Sequence, residues 1–374
     1  MPFKTEKEEG KALKRNRPSV FCMLAACVLF AFVTAAAARE ESSFPAFSVS
    51  SGTPLLIQGP STGTVVAQGG NYSVPLPDGR TLWLLNNIWT GEIKPGGQAA
   101  VWGIIDGGAA ISPSSSPYTQ AGSLAYVSDE QGWPLPLLSG DLKEYSQVRK
   151  FWPRSGLCSA VGCYVFYSIM NNYGPEPYDY FRVGQGVAYS EKISGPYKKA
   201  ASGGRNSFWN DIEPAFGEAV LHDLDGWLYV YGKNPGNPYR KGASLARVRP
   251  ADILKRERYS YYTEDYDKKK WTDDITEASV ALEGADEEFS VSYNRHLKKY
   301  LAVYFDADSQ TVFLKTSPYP WGKWSAPVRI KVCVKDEFCY GAKEQLPLSE
   351  AEGKKIFITL GKKHMPYLYE VEFR

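Results

Sequence analysis

The chain has 374 residues, of which 43% are hydrophobic and 14% aromatic, and this is enough to bury a sizeable core. Its formal net charge is +2, but the first 18 residues alone carry six Lys or Arg and three Glu, so the remainder is close to neutral. A near-neutral domain has no field that attracts phosphate backbones, and nucleic acid is therefore excluded as a partner.

The N-terminus combines a basic segment, residues 1–18, with an uncharged and almost entirely apolar stretch, residues 19–38. This order predicts a hydrophobic helix that is either a cleaved secretory signal or a type II membrane anchor. The small residues Ala36–Ala38 favour cleavage before Arg39, whereas the length of the stretch and its positive flank favour an anchor. Both alternatives place the following domain in the secretory pathway, either secreted or tethered by this one segment.

Six cysteines fall into three local pairs, and the pair in the apolar stretch is not a candidate for a structural bridge. The other two pairs predict loop-closing disulfides in an oxidising compartment, namely Cys158 with Cys163 and Cys333 with Cys339. A zinc site would need these thiols to converge from distant parts of the chain, with only three histidines to help. No metal and no cofactor is therefore predicted.

After a predicted linker, residues 39–60, the chain shows short runs rich in Val, Ile, Tyr, Phe and Trp that are broken by Gly, Pro, Asn and Asp. This pattern predicts an all-β domain over residues 61–374, with short helical turns only at Ala251–Arg258 and Leu348–Lys354. In chain order, the predicted strands are Thr64–Val66, Thr81–Leu85, Ala100–Ile105, Ser123–Val127, Tyr164–Ile169, Gly186–Ser190, Ala219–Asp223, Trp227–Gly232, Ser244–Val248, Glu288–Asn294, Tyr300–Phe305, Val312–Thr316, Lys355–Gly361 and Tyr367–Phe373.

Two segments, Glu218–Gly232 and Glu288–Phe305, predict similar hairpins, each with a polar turn between alternating strands. Similar segments follow two of the predicted blades, Ser194–Tyr197 and Trp321–Trp324. The spacing of about 60 to 75 residues suits a four-stranded blade with long loops. Since blades must pack around an axis to bury both faces, we expect a β-propeller, with a decorated β-sandwich as the alternative.

Several segments resemble domain-of-unknown-function family 4185, and they extend from about residue 211 to residue 373: DGWLYVYG (Asp225–Gly232), SLARVRPADI (Ser244–Ile253), YSYYTEDYDKKKW (Tyr259–Trp271), EFSVSYNRHLKKYLAVY (Glu288–Tyr304) and KTSPYPWGKWSAP (Lys315–Pro327). The opening strand around Arg80–Asn87 is also similar to the family's first strand. The resemblance implies a five-bladed β-propeller related to arabinan- and fructan-cleaving glycosidases. Some members resemble, or belong with, glycoside hydrolase family 183, which cleaves D-arabinan.

One departure from the family pattern bears on activity. The resemblance implies a first strand that ends in Gly-Asp-Thr, with the acid at the mouth of the propeller axis. The matching positions here are Leu85-Asn86-Asn87, and an amide cannot act as a nucleophile or a general base at neutral pH. If that acid is catalytic in active relatives, this chain has lost it.

Glycoside hydrolysis needs two carboxylates across one sugar, about 5 Å apart for retention and wider for inversion. The acids expected to face the axis are candidates for catalysis: Asp106, Asp211 and Glu288. Candidates for binding a sugar are two amides on the first strand and an aromatic, polar loop: Asn86, Asn87, Trp209, Asn210 and Glu213. Trp89, Trp102 and Trp152 are further candidates for stacking on sugar rings. The alternative is that the acids are solvated turn residues and that the tryptophans pack between blades.

The sequence thus indicates a glycan-directed propeller, glycosidase-like and catalytically degenerate, that binds a polysaccharide or glycoconjugate in its central funnel. An active hydrolase of arabinan-type polysaccharide is one alternative, and it requires two carboxylates at the bottom of an open funnel. A cell-surface protein-interaction propeller is the other, and it requires a blocked funnel with an exposed apolar rim.

Overall fold

The computed structural model describes residues 44–55, 65–112, 124–140, 148–175, 179–235, 241–264, 270–334 and 337–374. The basic segment, residues 1–18, and the predicted hydrophobic helix, residues 19–38, lie outside these ranges. Within them, no helix is long and apolar enough to cross a membrane.

Across the described ranges, twenty-five strands form five antiparallel sheets, which are the blades of a five-bladed β-propeller. The first two strands, β1 (Phe47–Val49) and β2 (Thr53–Pro54), pair with the last strand of the chain. Blade 1 then contains β3 (Val65–Gln68), β4 (Tyr72–Pro75), β5 (Thr81–Ile93), β6 (Ala99–Ser112) and β7 (Ala125–Tyr126). Blade 2 contains β8 (Arg149–Ser159), β9 (Gly162–Asn172), β10 (Tyr180–Ser190), β11 (Lys198–Lys199) and β12 (Trp209–Asn210).

The remaining blades follow in the order of the sequence. Blade 3 contains β13 (Ala215–His222), β14 (Leu228–Lys233), β15 (Gly242–Val248), β16 (Ser260–Tyr262), β17 (Trp271–Thr272) and β18 (Val280–Glu283). Blade 4 contains β19 (Ser290–Asn294), β20 (Lys299–Asp306), β21 (Thr311–Ser317) and β22 (Val328–Val332). Blade 5 contains β23 (Cys339–Glu344), β24 (Lys355–Lys362) and β25 (Met365–Phe373), to which β1 and β2 are added.

Five separate sheets confirm the propeller and exclude the β-sandwich. The two predicted hairpins are confirmed as β13–β14 and β19–β20. Part of the predicted linker, residues 39–60, is strand, because Phe47–Val49 pairs with Val371–Phe373 and so closes the ring of blades. A run this short has no periodicity of its own and is defined only by its partner.

In the described residues, the helical segments are short 3-10 turns: Pro250–Asp252, Arg256–Arg258, Ile275–Glu277, Leu346–Leu348 and Ala351–Gly353. All but Ile275–Glu277 overlap the two predicted helical segments. Each turn holds only three residues.

The core lies between neighbouring blades, and β5 shows why. Leu82 and Leu84 pack against Phe151 of blade 2, whereas Trp83 and Leu85 pack against Phe357 of blade 5. These four residues of β5 are completely buried. A blade therefore needs apolar residues on both faces, which explains why its inner strands read as continuous hydrophobic runs.

Both predicted disulfides are present. Cys158–Cys163 joins β8 to β9 within one hairpin. Cys333–Cys339 joins the end of blade 4 to the first strand of blade 5. The second bridge fixes the spacing of two blades where they meet at the axis.

Candidate functional site

A cavity of about 500 Å³ opens at one end of the propeller axis, and all five blades contribute to its lining. The strands that lead blades 2 to 5, namely β8, β13, β19 and β23, contact one another in sequence around this axis. The cavity lining consists of Gly69, Gly70, Asn86, Asn87, Trp89, Trp152, Tyr180, Lys241, Asp286, Glu287, Glu288, Phe305, Asp306, Ala307, Gln310, Phe338, Cys339, Tyr340, Gly341 and His364. We call it the central funnel.

Glu288 is the best-connected carboxylate of the funnel. Its Oε1 accepts from Asn86 Nδ2 at 2.8 Å, and its Oε2 accepts from Lys343 Nζ at 2.7 Å. Arg154 Nη1 lies 3.5 Å from Oε1. Asn86, Lys343 and Arg154 therefore fix the position of this side chain.

The local backbone is shaped to bring Glu288 to this position. Glu288 has φ 51°, in the left-handed region that side-chain-bearing residues seldom occupy. Opposite it, a Cβ on Gly341 would meet Glu288 Oε2 at 2.2 Å, so only glycine fits there. Backbone strain of this kind persists only where the surrounding contacts over-determine it, and Glu288 has such contacts.

At the bottom of the central funnel, five side chains form a group that we call the axial cluster. Each blade contributes one member: Tyr72, Arg154, Glu218, Glu288 and Lys343. Arg154 Nε lies 3.4 Å from Glu218 Oε1 and donates to Ser168 Oγ at 2.9 Å. Tyr72 donates from its hydroxyl to Glu218 Oε2 at 2.8 Å. The cluster separates the funnel from a smaller cavity of about 90 Å³ towards the opposite mouth.

Burial and charge act against each other in the axial cluster. Burial raises the pKa of Glu218, and Arg154 opposes that rise. Burial also lowers the pKa of Lys343, and Glu288 opposes that change. The carboxylates of Glu218 and Glu288, together with Tyr72, outweigh burial at Arg154 and raise its pKa. Each charge is tolerated only because of its partners.

Aromatic side chains form the walls. Trp89 packs on His364 with ring centroids 4.7 Å apart, and Trp152 meets Tyr180 edge-on at 4.4 Å. Phe338 is 56% exposed at the rim. Such faces suit the C–H side of a sugar ring, while polar groups at the floor suit its hydroxyls.

The rim next to blades 3 and 4 carries paired charges. Lys233 Nζ lies 3.0 Å from both Asp286 Oδ1 and Glu287 Oε1. Lys241 Nζ lies 3.7 Å from Asp306 Oδ1. Asp286 and Glu287 directly precede Glu288, so three consecutive carboxylates line the funnel.

Asp106 lies beside the funnel rather than in its lining. It opposes Asn87 across β5 and β6, and in the amide orientation that satisfies both groups Asn87 donates to Asp106 Oδ1 at 3.1 Å. Lys150 Nζ lies 3.2 Å from the same oxygen. Burial raises the pKa of Asp106, and Lys150 opposes this. The structure thus brings together four of the predicted residues, namely Asn86, Asn87, Asp106 and Glu288.

The predicted loop at residues 209–213 does not line the funnel. Trp209 has no exposed surface and packs between blades 2 and 3, which corrects its prediction as a sugar platform. Asn210 Oδ1 accepts from the backbone N–H of Ile212 and Glu213, and Glu213 Oε1 pairs with Arg256 at 2.6 Å. Asp211 is exposed. The side chains of Asn210 and Glu213 therefore stabilise a turn. Their polar atoms already contact the turn's N–H groups and Arg256 and are not available to a sugar.

Arg154 and Lys343 are functional candidates that sequence reasoning missed. No local motif marks either residue, because their partners lie in other blades, far away in the sequence. Two of the tryptophans considered as sugar-stacking candidates, Trp89 and Trp152, line the funnel. Trp102 is 56% exposed elsewhere on β6.

The opposite mouth contains a carboxyl group whose titration is testable. Burial raises the pKa of Glu344 to about 7, although its carboxyl accepts hydrogen bonds from Ser292 and Ser349. The folded state therefore holds a proton that the unfolded chain releases near pH 4.5. Stability is lost as the pH rises through this interval, by about 3 kcal/mol at 1.36 kcal/mol per pKa unit.

Glu344→Gln should remove this dependence. Urea unfolding at a series of pH values is expected to show wild type losing about 3 kcal/mol relative to the variant between about pH 4.5 and 7.5. A difference between the two proteins that stays constant over this interval would contradict a buried, protonated Glu344.

Comparisons with known proteins identify a family and similar solved structures. The family model for the domain of unknown function DUF4185 matches residues 127–369. No curated protein sequence matches the chain. The crystal structure of a "putative hydrolase" from Bacteroides ovatus ATCC 8483 is similar, with a TM-score of 0.62 and 14% identity, over 83% of this chain and 86% of that chain. Zg3597, a family 117 glycoside hydrolase from Zobellia galactanivorans, is similar with a TM-score of 0.50 and 10% identity, over 88% and 91%.

Proposed function

The chain belongs to the DUF4185 family, whose function is unknown, and from this premise we propose that it binds carbohydrate in the central funnel without hydrolysing it. The observation that carries the proposal is the funnel itself, about 500 Å³ in volume, with aromatic walls and a floor of amide and charged groups. Its volume lies within the roughly 300–1,000 Å³ typical of ligand pockets. The glycosidase-like fold of its structural neighbours is consistent with a glycan ligand, although fold alone is a weak warrant for activity.

The contacts of Glu288 support binding rather than hydrolysis. Its Oε1 accepts from Asn86, its Oε2 accepts from Lys343, and Arg154 forms an ion pair with it at 3.5 Å, so both oxygens that would act on a sugar already have partners. Asn86 stands where the family resemblance implies an acid. The floor is therefore suited to accept and donate hydrogen bonds with sugar hydroxyls.

Trp89→Ala tests the funnel. Because Trp89 is the wall residue packed on His364, its loss should weaken binding of arabinan- or xylan-derived hexasaccharides about tenfold, or ~1.4 kcal/mol, in calorimetric titration. Trp102→Ala is the matched control, since Trp102 is exposed and does not line the funnel. Equal affinities for wild type and Trp89→Ala, or no binding by wild type, would overturn the proposal.

An active glycoside hydrolase is the second candidate, and one observation favours it. Asp286, Glu287 and Glu288 all line the funnel, so more than one carboxylate is available to a bound sugar. Incubation of the purified protein with arabinan and other pentose or hexose polymers, followed by a reducing-sugar assay, distinguishes the candidates. Turnover that is abolished by Glu288→Gln would establish the hydrolase.

An interaction propeller is less well supported, because it requires a blocked funnel.

We also propose that the domain acts outside the cytoplasm, since its two disulfides suit an oxidising compartment. N-terminal sequencing of the mature protein tests how it is held there. A start at Arg39 would support secretion and eliminate the type II anchor.

A further inference from the structure

A second cavity, of about 430 Å³, lies away from the funnel between the outer parts of blades 3 and 4. Blade 3 contributes Tyr262 and Lys270, with Glu283 at the end of β18. Blade 4 contributes Lys315 on β21 and the segment Tyr319–Trp324 that follows it. We call this the side cavity.

One wall of the side cavity is a flat aromatic surface. The rings of Tyr319 and Trp321 are stacked with centroids 5.4 Å apart and an interplanar angle of 3°. Tyr319 is 51% exposed. Lys270 Nζ lies 4.5 Å from the centre of the Trp321 ring, which keeps a donor beside that surface.

Two lysines of the side cavity have different surroundings. Lys315 is 8% exposed, and its Nζ donates to the carbonyl oxygen of Glu283 at 2.7 Å. Burial lowers the pKa of Lys315. Lys270 is exposed beside the aromatic wall and is therefore the lysine that a ligand can reach.

Blade 2 provides an internal comparison. There the corresponding segment, Ser194–Tyr197, also follows the third strand of its blade, and Tyr197 occupies the position of Trp324. Tyr197 is 8% exposed, packs in the core between blades 1 and 2, and donates from its hydroxyl to Ile193 O at 2.9 Å. In blade 2 the tyrosine hydroxyl of the segment has a local hydrogen-bond acceptor, whereas in blade 4 the segment lines a cavity.

We propose that the side cavity is a second carbohydrate-binding site, which takes a neutral sugar unit of a polysaccharide. Stacked aromatic faces bind the C–H side of such a ring, and Lys270 supplies a donor for its oxygens. The lining mixes lysines with Glu264 and Glu283, and this balance favours a neutral ligand over an anionic one. The inference does not depend on the proposed role of the central funnel.

The test is calorimetric titration of the purified protein with arabinohexaose and xylohexaose, using single-site variants. Trp321→Ala should weaken or abolish one class of sites at least tenfold and leave the class that is sensitive to Trp89→Ala unchanged. Lys270→Met keeps the length of the side chain but removes the ammonium donor beside Trp321, and we expect a loss of about fivefold. Melting temperatures within a few degrees of wild type show that a variant is folded, and if Trp321→Ala does not fold, the result for the exposed Lys270→Met decides the test.

The outcomes separate the two sites. If Trp89→Ala has no effect while Lys270→Met and Trp321→Ala weaken binding, the side cavity is established and the funnel proposal fails. If only Trp89→Ala weakens binding, the side cavity proposal is overturned and the funnel proposal stands. Absence of binding to both hexasaccharides overturns both proposals.

Discussion

Replacement of Arg154 by methionine is expected to lower the free energy of unfolding by about 3–5 kcal/mol at pH 7. Arg154 is 3% exposed and is the cation that Glu218 and Glu288 share. Methionine occupies similar space but leaves two carboxylates in the axial cluster with one ammonium, Lys343. An uncompensated buried charge costs far more than the net contribution of the ion pair that it replaces.

Urea unfolding at pH 7 measures this loss, and Arg329→Met is the matched control. Arg329 is an exposed residue of β22, and its replacement should change stability by no more than ~0.5 kcal/mol. Because burial raises the pKa of Glu218, that carboxylate can take up a proton as the pH falls. The cost of Arg154→Met should therefore shrink towards pH 4. A loss below 1 kcal/mol at pH 7 would show that the cluster is not the electrostatic unit described here.

The axial cluster also shows how far sequence reasoning extends in this fold. The hairpins of blades 3 and 4 were predictable because their strands are adjacent in the chain and joined by short polar turns. The same holds for both disulfides, each of which closes a separation of six residues or fewer. A local sequence pattern is enough to predict a contact when the two partners are close together in the sequence.

The convergence of residues at the axis is a different problem. Glu288 and Asn86 were predicted to meet on the strength of their positions at blade starts and of the family resemblance, and they do meet at 2.8 Å. Trp209 and Asp211 follow the same rule in sequence but lie on β12 and its turn, the outer edge of blade 2. Whether a residue faces the axis depends on how the blades are arranged around it. Neither the composition of the sequence nor the spacing of its motifs gives that arrangement.

Asn86→Asp is the substitution with the second large expected effect, and it restores the acid that the family resemblance implies at this position. Asn86 is 3% exposed, and its Nδ2 donates to Glu288 Oε1 at 2.8 Å. Aspartate would replace that donor with a second carboxylate beside Glu288, and like-charge repulsion would raise the pKa of the introduced carboxyl group. Loss of the buried hydrogen bond together with this repulsion is expected to cost about 2–3 kcal/mol of stability at pH 7.

The pH dependence identifies the cause of this loss. The unfolded aspartate titrates near pH 4 and the folded one at a higher pH, so the electrostatic penalty is absent below about pH 4 and grows as the pH rises. Asn172→Asp is the control, because Asn172 Oδ1 already accepts from Gly174 N and an aspartate can do the same. Unfolding midpoints for both variants between pH 3.5 and 8 check this. If the loss caused by Asn86→Asp does not change with pH, it comes from packing, and the 2.8 Å contact between Asn86 and Glu288 is not the electrostatic centre of the funnel floor.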